Sequence, residues 1–513
     1  MKQLLYRLER SQTTWFILPT LLFFFLLRFP SLIEPYWYGD EGIYETIGLA
    51  LRHGRSLYTG IWDNKPPLLY LIYALFNSDQ FLVHLASLIV GIGAVLCFFF
   101  LAKQLFHKNK IVYITTIIFC LLFGTPIAEG NIANAENFML LPILAAAYII
   151  YTAVQTKNRN EKNMGPWSLK TGHFVAGLLL GIAFLIKIVA FFDFAAFAVF
   201  LIYVYIPHKA TLQSFLNRQV GRILMVPLLP YCLGFALPIV ITILYFFLKG
   251  SASDFFQSAF GSNIGYVGYA NVFIIPQGLL VLKLLLLGGS ILFLFMKRSQ
   301  ISSPALFLLV WFAFGLFDSF FSQRNYTHYF LMVIPSLSLL LGLPTLQIRY
   351  HYKLYLFLGV FILAILSIGY FLNGRYNQIP YYSNFFAFVT NHKSVTDYQN
   401  FFDRNVPRDY MIADYLRLYT TPDEPIFIWG NSAQIYALSN TLPAGRYTVA
   451  YHVLSTKQTL AETTQAINTI KPHFIVILSD SPGLPINNVN YNYKISLGGS
   501  VVYERMAPGA LLR

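Results

Sequence analysis

Long apolar runs separated by short polar ones make up most of this chain of 513 residues. Only 11% of the residues are charged, whereas a soluble domain has about 25%. Within lipid the backbone must be satisfied internally, and runs of this length favour helices. The sequence therefore predicts a polytopic α-helical membrane protein with about eleven transmembrane helices. The predicted spans lie at about 13–29, 81–102, 111–126, 137–154, 172–187, 189–206, 223–248, 272–295, 304–321, 329–346 and 354–372.

Basic residues cluster in the short loops on one side of these spans. Lys2, Arg7 and Arg10 place the N-terminus in the cytoplasm by the positive-inside rule. If the spans alternate, every later basic loop lies on the same side, and the C-terminal region lies outside the cytoplasm. We therefore expect a multi-pass protein of the plasma (inner) membrane. The net charge of +14 is explained by these loops, which argues against nucleic acid as a partner.

The composition changes after residue 373, where charged and turn residues return. Two short apolar runs at 425–431 and 474–480 are typical of buried strands, and residues 494–505 predict a hairpin around Gly498 and Gly499. Residues 433–438 and 458–470 have helical patterns. We therefore predict two domains: a transmembrane domain over 1–372 and a small extracytoplasmic α/β domain over 373–513.

A polar segment after the first span contains Asp40, Glu41 and Lys65. Ionisable groups at the edge of hydrocarbon are costly unless they are paired or used. We expect one carboxylate to face a reacting hydroxyl and the rigid Lys65, followed by two prolines, to hold a lipid phosphate. The alternative is a solvated loop with Lys65 as an interface anchor. Two short amphipathic segments, 43–51 and 68–76, predict helices that lie along the interface.

Further candidate residues lie beside later spans. Lys187 stands between two apolar runs, where an anion-facing role is expected. Glu136 begins the fourth span, at a helix N-terminus that favours a carboxylate for structural reasons as well. A polar mouth precedes the tenth span, and its histidine is expected to bind phosphate or a sugar hydroxyl. The residues of this mouth are Arg324, Tyr326, His328 and Tyr329.

Several familiar motifs are absent from the sequence. It has no Walker loop, Rossmann glycine pattern, HExxH, CxxC or GxSxG motif. The three cysteines lie in apolar runs without paired spacing, so no disulfide framework is indicated. No cofactor is certain, and a divalent metal is possible but not indicated by the sequence. Because an outward-facing enzyme has no supply of nucleotide sugars, we expect a lipid-carried activated donor.

The segment DEGIYETIGLALRHGRSLYTGIWDNKPPLLYLIYALF resembles the first outer loop of GT-C superfamily glycosyltransferases, in particular the protein O-mannosyltransferase and lipid A aminoarabinose transferase family. It contains an Asp-Glu pair, a Gly-x-x-x-Tyr pattern and Lys-Pro-Pro in order. The similarity continues at NAENFMLLP, GLLLGIAFLIKIVAFF and HYFLMVIPSLSLLLG, to about residue 346.

The resemblance implies transfer of a sugar from a polyprenyl-phosphate donor on the outer face, with inversion at the anomeric carbon. It places Asp40 as the catalytic base, Glu41 as support for the loop or sugar, Lys65 at the donor phosphate and Glu136 at a second acidic position. Lys187 and His328 match less closely. The implied partners are the lipid donor, membrane lipids and a lipid, glycan or protein acceptor.

Two other functions fit the same fold class. A transporter or lipid flippase of the cell envelope would have ionisable residues near helix midpoints and repeated halves, and no repeat is found. A non-catalytic GT-C-like scaffold would keep the fold without needing Asp40. The sequence identifies neither the sugar nor the acceptor.

Overall fold

The structure is a computed structural model that describes residues 12–158, 169–207, 218–324, 326–348, 378–421, 423–486 and 490–506, with single residues between 359 and 369. It is mostly helical. The helices before residue 378 are α1 Gln12–Arg28, α2 Gly39–Arg52, α3 Pro67–Leu75, α4 Gln80–Leu105, α5 Asn109–Gly124, α6 Ala135–Asn158, α7 Leu169–Ile186, α8 Phe191–Tyr205, α9 Arg218–Leu248, α10 Ala252–Phe256, α11 Ser262–Ala270, α12 Gly278–Lys297, α13 Ser303–Ser319 and α14 Ile334–Leu340.

Six helical segments among the described residues are long and apolar enough to cross a membrane: Gln12–Ile33, Gln80–Leu105, Ala135–Thr156, Ile188–Tyr205, Ile223–Leu248 and Gly278–Gln300. Three shorter apolar helices fall on further predicted spans: Asn109–Gly124, Lys170–Ile186 and Ser303–Ser319. The prediction of a polytopic helical membrane protein is therefore confirmed. The count of eleven stays a prediction.

The last two predicted spans have a different outcome. Residues 329–346 do not form one continuous helix. They divide into a 3₁₀ turn at Thr327–Met332, α14, and a second 3₁₀ turn at Leu343–Thr345. Pro335 and Pro344 each stand in the first turn of a segment, where proline ends the preceding backbone ladder. The predicted span 354–372 lies largely outside the described residues.

The chain forms two compact units. The first contains residues 1–29, 87–248 and 262–378, and holds most of the membrane helices. Within it α7 packs closely on α9 through small residues. A Cβ at Gly177 would overlap the carbonyl oxygen of Tyr231, and one at Gly234 would overlap that of Phe174. Such close backbone approach is typical of helix packing in membranes.

The second unit contains residues 30–86, 249–261 and 379–513. It thus includes the first polar loop together with the C-terminal region, whereas the sequence prediction divided the chain at residue 373. Its later helices are α15 Gln378–Val389, α16 Val395–Phe402, α17 Val406–Tyr419, α18 Gln434–Ser439, α19 Ala450–Val453 and α20 Lys457–Ile470. α2 and α3 lie where the amphipathic segments predicted short helices.

A four-stranded sheet with the order β1-β2-β4-β3 forms the centre of the C-terminal region. The strands are β1 Phe427–Trp429, β2 Phe474–Ile477, β3 Tyr491–Leu497 and β4 Ser500–Arg505. β1 and β2 are parallel, with Phe427 opposite Ile475, and the other pairs are antiparallel. Gly498 and Gly499 both have positive φ, as the two-residue turn of this hairpin requires. Alternate residues of β1 and β2 enter apolar clusters on opposite faces of the sheet.

Candidate active site

Helix α2 begins at the acidic pair and directs the two carboxylates differently. Asp40 and Glu41 lie in its first turn, where the helix dipole favours negative charge. The side chain of Asp40 is 35% exposed, whereas that of Glu41 is 3% exposed. The two residues are therefore not equivalent. Of the two, Asp40 presents its carboxylate at the surface and Glu41 is buried.

Lys65 brings the two ends of the polar loop together. Its Nζ lies 4.0 Å from Oδ2 of Asp40 and 3.5 Å from Oδ2 of Asp63. The ammonium is also 5.1 Å from the ring centre of Tyr44, and the hydroxyl of Tyr44 donates to Asp40 at 3.2 Å. The structure thus places the predicted carboxylate and the predicted ammonium together, with Asp63 as a further member.

Two tyrosines fix the backbone of Lys65. Tyr58 donates to its carbonyl oxygen at 2.8 Å, and its N–H donates to the hydroxyl of Tyr70 at 3.0 Å. Tyr70 in turn donates to Asp63 at 2.8 Å. Pro66 follows directly in extended conformation as the N-cap of α3. The ammonium therefore projects from a backbone held on both sides.

A buried histidine faces Asp63 from the C-terminal region. Nε2 of His452 lies 3.7 Å from Oδ1 of Asp63, and its ring lies edge-on to Trp62. Burial lowers the pKa of His452 to about 4, against the opposing effect of Asp63. The imidazole is therefore neutral at physiological pH, and the carboxylate of Asp63 depends on Lys65 for its charge partner.

Glu41 is hydrogen-bonded to His84 within the same unit. Oε1 of Glu41 lies 2.9 Å from Nε2 of His84, whose Nδ1 lies 2.7 Å from the carbonyl oxygen of Ser31. One turn later in α2, Glu45 is also buried. Burial, and then the charges of Glu41 and Asp79, raise the pKa of Glu45 well above its usual range. These acids lie beneath the surface that Asp40 occupies.

Three of the other predicted residues meet in the first unit. The ammonium of Lys187 donates to Oε1 of Glu136, which is completely buried at the start of α6. His328 contacts the carboxylate of Glu129 through Nδ1 at 2.9 Å, and its Nε2 lies 3.9 Å from Glu136. Lys187 stands in extended conformation in the break between α7 and the 3₁₀ turn before α8, which frees its side chain from the helix faces. We call Glu129, Glu136, Lys187 and His328 the Lys187 cluster.

The remaining residues of the predicted mouth flank the Lys187 cluster. Tyr329 places its ring centre 4.7 Å from the Lys187 ammonium, and Tyr326 stacks on His328 with 44% of its surface exposed. Arg324 is partly exposed in the turn before them, and its backbone N–H donates to Ser322. Tyr326, His328 and Tyr329 therefore form one aromatic group.

Sequence reasoning did not select Glu129, Asp63, His84 or His452. Asp63 had a detectable signal, because it stands two residues before Lys65 in the WDNKPP run. Glu129 had no such signal, since its unusual φ of 57° is visible only in the structure. His84 and His452 carry no local motif and are located only by the fold.

The arrangement around Lys65 can take a proton and hold an anion. A partly exposed carboxylate can accept a proton from a hydroxyl, and a fixed ammonium beside it can hold a phosphate. Among the described residues, no three His, Cys, Asp or Glu side chains converge as a set of metal ligands.

Residues 65–233 match the family model described as dolichyl-phosphate-mannose-protein mannosyltransferase. The fold of the chain is similar to that of ArnT from Cupriavidus metallidurans, solved bound to undecaprenyl phosphate, with a TM-score of 0.53, 15% identity and coverage of 97% of this chain and 99% of ArnT. The resemblance to GT-C glycosyltransferases is confirmed. The chain is a multi-pass membrane protein with a GT-C-type fold.

A second similar structure is the archaeal oligosaccharyltransferase AglB from Archaeoglobus fulgidus, solved with an inhibitory peptide and a dolichol-phosphate. It is 13% identical with a TM-score of 0.45, and the match covers 91% of this chain and 70% of AglB. No curated protein matches the chain in sequence.

Proposed function

We propose that this GT-C-type protein transfers a sugar from a polyprenyl-phosphate donor to an acceptor hydroxyl on the outer face of the plasma (inner) membrane. The single observation that supports this most is the 4.0 Å approach of the Lys65 ammonium to the Asp40 carboxylate. The match of residues 65–233 to a dolichyl-phosphate-mannose-dependent family favours the same donor class. ArnT, which shares the fold, was solved with a polyprenyl phosphate.

Asp40 is the proposed general base. The acceptor oxygen attacks the anomeric carbon while its proton passes to the Asp40 carboxylate. The bond from the anomeric carbon to the phosphate oxygen breaks, and its electron pair leaves with the lipid phosphate. One displacement of this kind inverts the anomeric centre and needs no covalent intermediate. General-base assistance of this type accelerates a reaction by about 10²–10⁴-fold.

Lys65 is the proposed phosphate-binding residue. Tyr58 and Tyr70 fix the backbone of Lys65, so its side chain starts from a defined position as charge grows on the leaving group. Asp63 and Asp40 hold the ammonium in place before the donor arrives. Glu41 is proposed to position α2 through His84 rather than to contact substrate.

The Lys187 cluster, with Arg324, Tyr326 and Tyr329, is proposed to form a substrate-binding site within the first unit. Lys187 supplies a charge for an anionic group, His328 a donor for a hydroxyl, and Tyr326 an exposed ring face. Glu136 holds the Lys187 ammonium in position as its ion-pair partner and is the proposed second acidic residue. We also propose about eleven spans, a cytoplasmic N-terminus and an extracytoplasmic α/β domain from residue 373.

The test is release of polyprenyl phosphate by purified full-length protein in liposomes. The liposomes contain undecaprenyl phosphate linked to one of several hexoses or pentoses, together with a membrane extract as the source of acceptor. Asp40→Asn should lower release by about 10²–10⁴-fold while undecaprenyl phosphate still binds. Lys65→Met should lower both release and binding of the lipid phosphate.

The matched control is Asp414→Asn, because the side chain of Asp414 is 66% exposed and belongs to the same unit. It should leave release unchanged. Unaltered release by Asp40→Asn would disprove the base assignment. If the wild type moves the sugar-linked undecaprenyl phosphate across the bilayer without releasing undecaprenyl phosphate, the protein is a flippase.

A further inference from the structure

A pocket of about 560 Å³ opens in the second unit, between the loop after α2 and the C-terminal region. Its walls come from the 55–60 loop, the 444–447 segment before α19, and one side of α20. A volume in this range is typical of sites for small molecules. None of the residues assigned above to the base, the phosphate site or the Lys187 cluster lines it.

The pocket contains two guanidinium groups and one carboxylate. Arg446 lies 2.7 Å from Oε2 of Glu462 and donates to the hydroxyl of Tyr447 at 2.8 Å. The other oxygen of Glu462 accepts from Gln458 at 3.0 Å. Both carboxylate oxygens of Glu462 therefore have partners, and its charge offsets that of Arg446.

Arg55 is left as the unmatched charge of the pocket. Its guanidinium donates to the carbonyl oxygen of Gly445 at 3.3 Å and makes no ion pair with any described residue. Burial lowers the pKa of Arg55, which remains charged at physiological pH. A partly buried guanidinium with only a carbonyl partner leaves several donors for an incoming anion.

The other walls of the pocket suit a hydroxyl-rich ligand. Thr59 supplies an exposed hydroxyl, and Gly60 and Gly445 expose backbone without side chains, whereas the hydroxyl of Thr463 donates to the carbonyl oxygen of Thr459 at 2.8 Å. The ring of Tyr447 is held against the Arg446 guanidinium, with 5.0 Å between their centres. Arg55 can pair with an anionic group and the Thr59 hydroxyl can bond a sugar hydroxyl, while Ala444, Ala466 and Ile470 supply apolar surface for a sugar ring.

The pocket is linked to the Lys65 loop by backbone hydrogen bonds. Arg446 donates to the carbonyl oxygen of Tyr58, and the N–H of Trp62 donates to the carbonyl oxygen of Arg446 at 2.9 Å. Gly60 in the pocket wall is five residues before Lys65, which limits their separation to about 18 Å. An extended acceptor held in the pocket can therefore reach the groups around Lys65.

We propose that this pocket binds an anionic, hydroxyl-rich group of the acceptor, a sugar bearing a carboxylate or a phosphate, with Arg55 as its charge partner. The assignment to the acceptor rests on the proposed glycosyl transfer. Binding of an acidic sugar in the pocket does not rest on that reaction, and it can be measured separately.

The experiment is a titration of full-length protein in neutral phosphatidylcholine nanodiscs, followed by saturation-transfer NMR. The probes are glucuronate, glucose 6-phosphate, glucose and inorganic phosphate. The two acidic sugars should bind, and glucose should bind at least about tenfold more weakly. Preference for one acidic sugar identifies the anion as carboxylate or phosphate. Binding of inorganic phosphate as tight as that of glucose 6-phosphate would mean an adventitious anion only and would overturn the proposal.

Variants assign the binding to this pocket. Arg55→Gln should weaken both acidic sugars by about tenfold or more, and Arg55→Lys should restore part of the loss. Arg52→Gln is the matched control, because Arg52 is an exposed arginine of α2 that lies outside the pocket. If Arg55→Gln fails to fold, Ala466→Phe fills the pocket from α20 without removing a hydrogen bond and should block the acidic sugars. Unchanged binding in both Arg55→Gln and Ala466→Phe would overturn the proposal.

Asp40→Asn separates this proposal from the proposed transfer. The variant should bind glucuronate or glucose 6-phosphate as the wild type does. Wild-type protein that binds these sugars but releases no polyprenyl phosphate would contradict the transfer reaction and leave the pocket standing. Wild-type protein that transfers sugar but does not prefer acidic probes would do the reverse.

Discussion

The Nε2 atom of His84 lies 2.9 Å from Oε1 of Glu41, and Nδ1 of the same ring lies 2.7 Å from the carbonyl oxygen of Ser31. A carbonyl oxygen only accepts, so Nδ1 carries a hydrogen. The contact with Glu41 then requires a second proton, either on Nε2 or on the carboxyl group. Both side chains are buried, so the pair holds this proton away from water directly behind Asp40.

This relationship predicts a small effect for one substitution of Glu41 and a large loss of stability for another. In Glu41→Gln the amide can donate to a neutral Nε2, so the unfolding free energy should stay within about 1.5 kcal/mol of the wild type. Glu41→Ala removes one partner of a buried pair and should cost about 3–5 kcal/mol. Thermal unfolding in nanodiscs measures both. If Glu41→Gln folds normally but loses transfer, Glu41 acts on the substrate and not through His84.

Glu45→Gln should stabilise the protein at neutral pH. Burial raises the pKa of Glu45 well above its usual range, so the folded state holds a proton that the unfolded state releases above pH 4.5. The stabilisation from protonated Glu45 is complete below pH 4.5 and is lost as the pH rises towards its raised pKa in the folded state. The amide removes the penalty and should gain at least about 1 kcal/mol at pH 7. A lower unfolding temperature for Glu45→Gln than for wild type at pH 7 would contradict this, and Asp414→Asn is the exposed control.

His452 should make the second unit sensitive to acid. Its pKa is lowered by burial to about 4, below the value of 6.5 for an exposed histidine. Its contribution to stability is therefore complete above pH 6.5 and is lost as the pH falls through 4. The loss should reach about 3 kcal/mol. The unfolding free energy, measured between pH 7 and pH 4, should fall in this way for the wild type and for the exposed-site control His392→Gln. His452→Gln should show a shallower fall, and an equal fall in all three would refute the assignment.

Glu136 and Lys187 should be strongly coupled. Glu136 is completely buried, so Lys187→Met leaves a carboxylate without its ammonium and should cost about 3–5 kcal/mol. The double variant Glu136→Gln, Lys187→Met removes both charges and should recover much of that loss. A double-mutant cycle on unfolding free energies measures the coupling. Additive costs would show that the contact between the two side chains contributes little.

Local patterns in the sequence were enough to predict the membrane helices, α2, α3 and the strands β1 and β2. Burial in lipid or in a sheet requires contiguous apolar residues, and these are visible in one dimension. The hairpin of β3 and β4 was predictable because Gly498-Gly499 meets the conformational demand of its turn. The prediction of one continuous span over 329–346 was wrong, because apolar composition does not indicate where prolines divide a helix.

The partners of the candidate site were less predictable. Asp40 and Lys65 were expected to meet because one short loop connects them. His84 and His452 reach the same unit from distant parts of the sequence, and neither has a spacing that announces its partner. The burial of Glu41 was also hidden, because an acidic residue beside Asp40 has the same one-dimensional surroundings whether it faces solvent or a histidine.

Helix α2 packs against residues that stand almost 400 positions later in the chain and are therefore synthesised much later. Thr46 donates to the carbonyl oxygen of Ala433, and a Cβ at Gly42 would lie 2.7 Å from the backbone nitrogen of Gln434. The ribosome therefore delivers Asp40 long before the surface that orients it exists. A nascent chain already inserted in the bilayer would stay inert until its final segment has emerged and folded back, so premature release should leave an inactive product.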